Sequence, residues 1–141
     1  MTQLLELHGV VAAPPDAVAD VLLDVRPGGR SPFAVVGTIE SADGDELVVT
    51  LNGSRMTVTV DRAARSVVLQ GEWWYRGVTT VRPDPRGAQV VHQIFDVAAG
   101  RGWAVRFVSR GPLAAAPAAF AAHLDHLGRQ LNCAAWVEGQ P

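Results

Sequence analysis

The chain contains no lysine: its 12 basic residues are all arginines, against 14 acidic ones, for a formal net charge of −2. That absence removes Schiff-base chemistry and any phosphate-binding loop that ends in lysine. The arginines are scattered from Arg26 to Arg129 without a basic tail or block. Nucleic acid is therefore not an expected partner, since its binders concentrate positive charge on one face. Cysteine is almost absent. Cys133 stands alone and cannot close an intrachain disulfide. The amino terminus lacks the basic and apolar regions of a secretory signal, so the expected location is the cytoplasm. No apolar run approaches the ~20 residues of a spanning helix. Charged residues make up only 18% and apolar residues 48%, which argues against a disordered chain or a coiled coil. What remains is enough for one globular domain over residues 1–141, a length that buries a sizeable core without staples.

Periodicity divides the chain into a strand, a helix, several strands and a final helix. Leu4 to Val11 has strand character. Pro14-Pro15 then punctuates the chain, and Asp16 sits in a first helical turn, where a negative charge opposes the helix dipole. Val18, Val21, Leu22 and Val25 form one apolar stripe that stops near Arg26-Pro27-Gly28-Gly29. From Phe33 to Val97 the period falls to two. Strands are expected at Phe33–Glu40, Leu47–Leu51, around Met56–Val60, at Val67–Gln70, Glu72–Arg82 and Gln89–Val97. Asn52-Gly53 is a hairpin turn, and Pro83-Asp84-Pro85-Arg86-Gly87 is another turn. Such short joins make these six strands an antiparallel meander. Helical spacing returns in Phe120, Leu124, Leu127, Leu131 and Ala134. Pro117 is placed in this helix's first turn, because an interior proline removes a hydrogen bond. The segment around Trp103 and Phe107 fits a short helix better than a strand.

One apolar-faced antiparallel sheet and one long amphipathic helix define an α+β domain, in which the twisted sheet curls around the helix. A single helix does not fill a wide concave sheet, so an internal cavity or groove is expected. The order of elements resembles the helix-grip fold of the START and birch-pollen-allergen-like superfamily (SRPBCC), including its bacterial polyketide cyclase/dehydrase-like and lipid-transport-like branches. The residues that carry the resemblance are Val10-Val11-Ala12-Ala13-Pro14-Pro15-Asp16-Ala17-Val18 with Leu22-Leu23-Asp24 at the opening, and Phe120, Leu124, Leu127 and Leu131 in the closing helix. Pro32-Phe33 only roughly matches the aromatic and proline that follow the first helix in that superfamily. The resemblance implies a curved sheet of six to seven strands around a long C-terminal helix. It implies no defined catalytic residue and no cofactor.

The candidate cavity wall is Trp74, Tyr75, Arg76, Val91, Phe95, Phe120, Leu124 and Leu127. Strand alternation would put Trp73 and Tyr75 on one face, with Trp74, Arg76 and Glu72 on the other. Only one of Trp74 and Tyr75 would then face the cavity. Tyr75 is preferred, because its hydroxyl gives an apolar site one polar anchor. A buried Arg76 would need a carboxylate or a ligand oxygen, whereas an exposed one needs neither. His92 has the chemistry of a general base. Asp96, four residues along its face, is about 13 Å away and too far to orient it. His123 and His126 have the spacing of a metal-binding pair but no third ligand, so partly exposed helix polars are expected and no metal is. The expected partner is a small hydrophobic molecule, a lipid or a polyketide-like aromatic. The alternatives are a cyclase or dehydratase that uses Tyr75, Arg76 or His92, and a non-enzymatic homodimeric interaction protein.

Overall fold

Local turn chemistry explains most of the architecture. The computed structural model describes residues 1–98, 104–105 and 108–139. Strand β1 (Thr2–Val11) runs into Pro14-Pro15, and Pro15 opens helix α1 (Pro15–Leu22). The first helical position suits a proline, whose missing N–H would have no partner there. Val18, Ala19, Val21 and Leu22 form the buried face of α1. The helix ends at Leu22, earlier than the Arg26-Pro27 break, although Val25 remains buried. Asp24 gathers the turn that follows: its carboxylate accepts from the Arg30 N–H at 3.1 Å and the Arg26 Nε at 2.8 Å. These contacts hold its pKa below the usual carboxylate range, the Arg30 backbone bond contributing most.

The meander follows as β2 (Thr38–Asp43), β3 (Glu46–Leu51), β4 (Ser54–Asp61), β5 (Ser66–Gly71), β6 (Tyr75–Asp84) and β7 (Gly87–Asp96). Asn52 and Gly53 take φ values of 53° and 79°, the left-handed pair a two-residue hairpin requires. Two expected boundaries move. Phe33 is not in a strand: the Ser31 hydroxyl accepts from the Phe33 N–H, and the Ala34 N–H reaches the Ser31 carbonyl, closing a turn instead. Nor does β6 begin at Glu72, because residues 72–74 form the bend between β5 and β6.

Helix α2 (Arg110–Leu131) begins earlier than expected. Pro112 occupies its first turn, and Pro117 lies inside the helix, where it removes the bond to the Leu113 carbonyl. Ala104, Val105 and Val108 are helical ahead of it, whereas Trp103 and Phe107 lie outside the described residues. Asn132, in the left-handed conformation, caps α2 and turns the chain into β8 (Ala135–Val137), a strand too short for any periodicity to reveal. Among the described residues the sheet has eight strands in the order β2-β3-β4-β5-β6-β7-β1-β8, every pairing antiparallel.

This is an α+β fold with an antiparallel sheet partly wrapped around a long C-terminal helix. The main core joins Val11, Val18, Leu22, Val67, Val81 and Val90 to Phe120, Leu124 and Leu127 of α2. Leu124 lies directly over Gly9 of β1, where an added Cβ would overlap its Cδ1. A smaller cluster of Trp74, Ile94, Val105 and Ala116 packs near the start of α2. Among the described residues, no helix is long and apolar enough to cross a membrane.

Candidate functional site

Two adjoining spaces open between the sheet and the segments that cross it. The larger, about 600 Å³, is walled by Val49 and Leu51 of β3, Met56 and Val58 of β4, Leu69 of β5, the Pro32–Val36 segment and the Trp73–Tyr75 bend. Its volume falls within the range of small-molecule sites. Its wall is mainly aliphatic and aromatic. At its mouth Val36 is 71% exposed and Trp73 39%. The polar groups at that rim engage one another: the Arg55 Nε donates to Glu40 at 2.7 Å, and the Arg55 backbone N–H donates to Glu72 at 2.7 Å. The Arg55 hydrogen bond holds the Glu40 carboxyl below its ordinary range.

The smaller space, about 150 Å³, lies under α2 and is lined by Phe33, Tyr75, His92, Ile94, Phe120 and His123, with Pro112 and three alanines of the helix. Ala115, Ala116 and Ala119 supply that part of the helix face; their short side chains leave the room that larger residues would fill. Phe33 and Tyr75 line both spaces and so form the partition between them. Tyr75 lies flat across its own strand, because Gly77 has no side chain: a Cβ there would stand 2.5 Å from the Tyr75 Oη. Burial pushes the Tyr75 phenol pKa up.

Two imidazoles face the smaller chamber. His92 is only 7% exposed. Its ring is stacked with those of Phe33 and Phe120, with centroids 6.2 and 5.9 Å away and planes within 18° and 19°. Its Nδ1 is 2.7 Å from the Thr79 hydroxyl. Burial, with a smaller contribution from His123, pushes the His92 pKa down to about 4. The His123 ring meets Phe33 edge-on at 4.7 Å. Its Nδ1 is buried without a hydrogen-bond partner, and burial and then His126 lower its pKa. Both rings are therefore neutral at pH 7 and present hydrogen-bonding edges without charge.

The expected wall is only partly assembled here. Trp74 and Tyr75 both line the larger cavity, contrary to the expectation that only one of them can. Strand alternation does not apply across a bend, and β6 begins at Tyr75. Their rings meet edge-to-face at 5.5 Å. Phe120 lines the smaller chamber. Leu124 and Leu127, each 1% exposed, belong to the packed core and line neither space. Val91 and Phe95 alternate with Val90, His92 and Ile94, which face the helix side, so they fall on the outer face of the sheet. Arg76 pairs with Phe95 across the ladder and donates to the Gln70 side chain at 2.7 Å. The walls also hold many residues absent from the sequence-based set, among them Met56, Leu69, Phe33 and His123. Phe33 has the pattern of a strand residue, and His123 that of a partly exposed helix polar. The signal for His123 is its place one residue before Leu124, within reach of the helix face that carries Phe120. His126 turns elsewhere, with its Nε2 2.7 Å from the Arg30 carbonyl. Among the described residues, no three His, Cys, Asp or Glu side chains converge as metal ligands would.

The geometry is that of the helix-grip fold. A Thermobifida fusca protein solved by NMR superposes with a TM-score of 0.55 at 23% identity, covering 88% of this chain and 93% of that one. TTHA0849 from Thermus thermophilus aligns with a TM-score of 0.45 at 15% identity, over 89% of this chain and 92% of that one. Ara h 8.0201 aligns with a TM-score of 0.43 at 12% identity, over 76% and 91%. The first of these establishes the fold alone. No protein-family model and no curated protein matches the sequence.

Proposed function

We propose that this protein binds a small, largely apolar molecule in the 600 Å³ cavity. The observation that carries the reading is an aliphatic and aromatic cavity that opens at the hairpin between β3 and β4, with Arg55 at its rim already paired to Glu40. Trp74 and Tyr75 form its aromatic end. Burying an apolar molecule there gains roughly 25 cal/mol for each Å² removed from water, and the Arg55 guanidinium at the rim already has its carboxylate in Glu40. Native mass spectrometry of freshly purified protein, followed by solvent extraction, is expected to show a retained hydrophobic compound or uptake of an added one. Met56→Trp places a bulky ring in the same space and is expected to abolish that mass increment without unfolding the protein. An increment that persists in a folded Met56→Trp variant would rule this cavity out.

A cyclase or dehydratase activity is the second reading. It is favoured by one observation: Tyr75 and His92 both line the smaller chamber. Enclosure holds a flexible polyketone near its ring-closing geometry, and a phenol or a neutral imidazole can move a proton during enolisation. Arg76 takes no part in this version, because its guanidinium lies on Gln70. Tyr75→Phe keeps the ring and removes the hydroxyl. For an enzyme that uses the phenol as proton donor, turnover of a polyketone should fall about 100-fold or more with little change in binding. For a binding protein whose ligand touches the hydroxyl, affinity alone should fall, by about 0.5–1.5 kcal/mol. Product analysis alongside calorimetry separates the two.

A further inference from the structure

The 150 Å³ chamber under α2 has a chemistry of its own. A cavity of that volume accepts about one six-membered ring. The rings of Phe33 and Phe120 lie nearly parallel to that of His92, with centroids 6.2 and 5.9 Å away, and its Nδ1 is engaged by Thr79. Its Nε2 therefore remains the one polar edge of that ring without a protein partner among the described residues. On the opposite wall the His123 Nδ1 is buried and unpaired. A buried polar atom without a partner is unfavourable until something supplies a hydrogen bond. Among the described residues, no arginine and no carboxylate lines the chamber. A carboxylate ligand would enter as an uncompensated buried anion, whereas a neutral hydroxyl would not. A hydroxyl both donates and accepts, so it can satisfy either tautomer of a neutral imidazole.

We propose that this chamber is a recognition subsite for an uncharged hydroxyl group on an aromatic ring, with the His123 Nδ1 and the His92 Nε2 as its hydrogen-bonding edges. The assignment rests on the larger cavity holding the remainder of the same molecule. Phe33 and Tyr75, which line both spaces, would contact the ligand where it passes from one to the other. Thr79 acts as a positioning residue, holding the His92 ring by its far nitrogen.

Three probes of nearly equal shape test the subsite at pH 7.5: 2-naphthol, naphthalene and 2-naphthoate. Titration by fluorescence should show 2-naphthol binding at least tenfold more tightly than either of the others. In nitrogen-detected NMR of the unmodified protein, 2-naphthol should shift the ring nitrogens of His92 and His123, and naphthalene should leave them nearly unmoved. His123→Phe, checked for folding by its thermal melt, should bring naphthol and naphthalene to within about threefold of each other. Naphthol binding no better than naphthalene, naphthoate binding best, or unmoved imidazole resonances would each overturn the subsite while leaving the larger cavity standing. Failure of all three probes to bind would overturn the cavity reading and the subsite together.

Discussion

Leu124→Ala is expected to destabilise the fold by about 2–5 kcal/mol, the range for deleting a large side chain from a site that cannot collapse. The site is of that kind. Leu124 is 1% exposed, lines neither cavity, and sits over Gly9, a glycine of β1 that leaves it room. The contact joins the closing helix to the first strand, so its loss loosens the grip of helix on sheet. Adding volume from the other side should also be unfavourable. Gly9→Ala would drive a methyl group into Leu124, at a cost of about 1–3 kcal/mol for overpacking. Urea denaturation measures both. A loss below about 1 kcal/mol for Leu124→Ala, well under the range for a packed site, would show that this contact does not hold the helix down.

Acidification should weaken the protein before its arginine-paired carboxylates protonate. His92 has a folded pKa of about 4 against an ordinary value of 6.5. Between those values the unfolded chain binds a proton that the folded chain refuses. Stability therefore rises with pH through this window: it is complete above about pH 6.5 and lost progressively as the pH falls toward 4. The gap corresponds to roughly 3 kcal/mol. The lowered pKa of His123 acts in the same direction. The carboxylates held low by arginines, such as Asp84 at about 2 beside Arg86, lose their contribution only at lower pH. Denaturation curves at pH 7, 5.5 and 4.5 should show the decline. His92→Phe should remove most of the slope while lowering stability at pH 7, because the Thr79 hydroxyl loses its partner. An unchanged slope in that variant would place the titrating group elsewhere.

The parts of the fold that follow from local chemistry are readable in the amino-acid order. Asn52-Gly53 forces a tight hairpin, the Pro83–Gly87 stretch forces another reversal, and the Phe120-Leu124-Leu127 stripe identifies the covering helix. The parts decided by tertiary contact are not. Ala135–Val137 is a strand because Gly9 to Val11 offers it an edge, and three residues carry no period. Phe33 has β propensity, yet the Ser31 turn releases it to pack on two histidines. Trp73 to Tyr75 look like strand residues, but a bend lets two neighbours line one cavity. Val91 and Phe95 fall on the side opposite to the expected one for the converse reason: in a strand with apolar residues on both faces, the pattern alone does not say which face meets the helix. The smaller chamber leaves the faintest mark of all, since it exists where alanines stand in place of larger side chains.

The sheet order has a consequence for biosynthesis. Each hairpin from β2 to β7 pairs neighbours in the chain, but β1 pairs with β7, bringing Thr2 to Asp96 and Val11 to Ala88. Its other flank is filled by β8, near the end of the described chain. Of the strands of this sheet, the first to be synthesised is thus the one whose two partners are made last. At about 5–20 residues per second, the wait before β7 is available runs to several seconds or longer. Throughout that interval Val10 and Val11, fully buried in the finished protein, belong to a strand with nothing to pair with. Closure of the sheet by β1 is thereby a late, long-range event, and one that lengthens the search for the native topology.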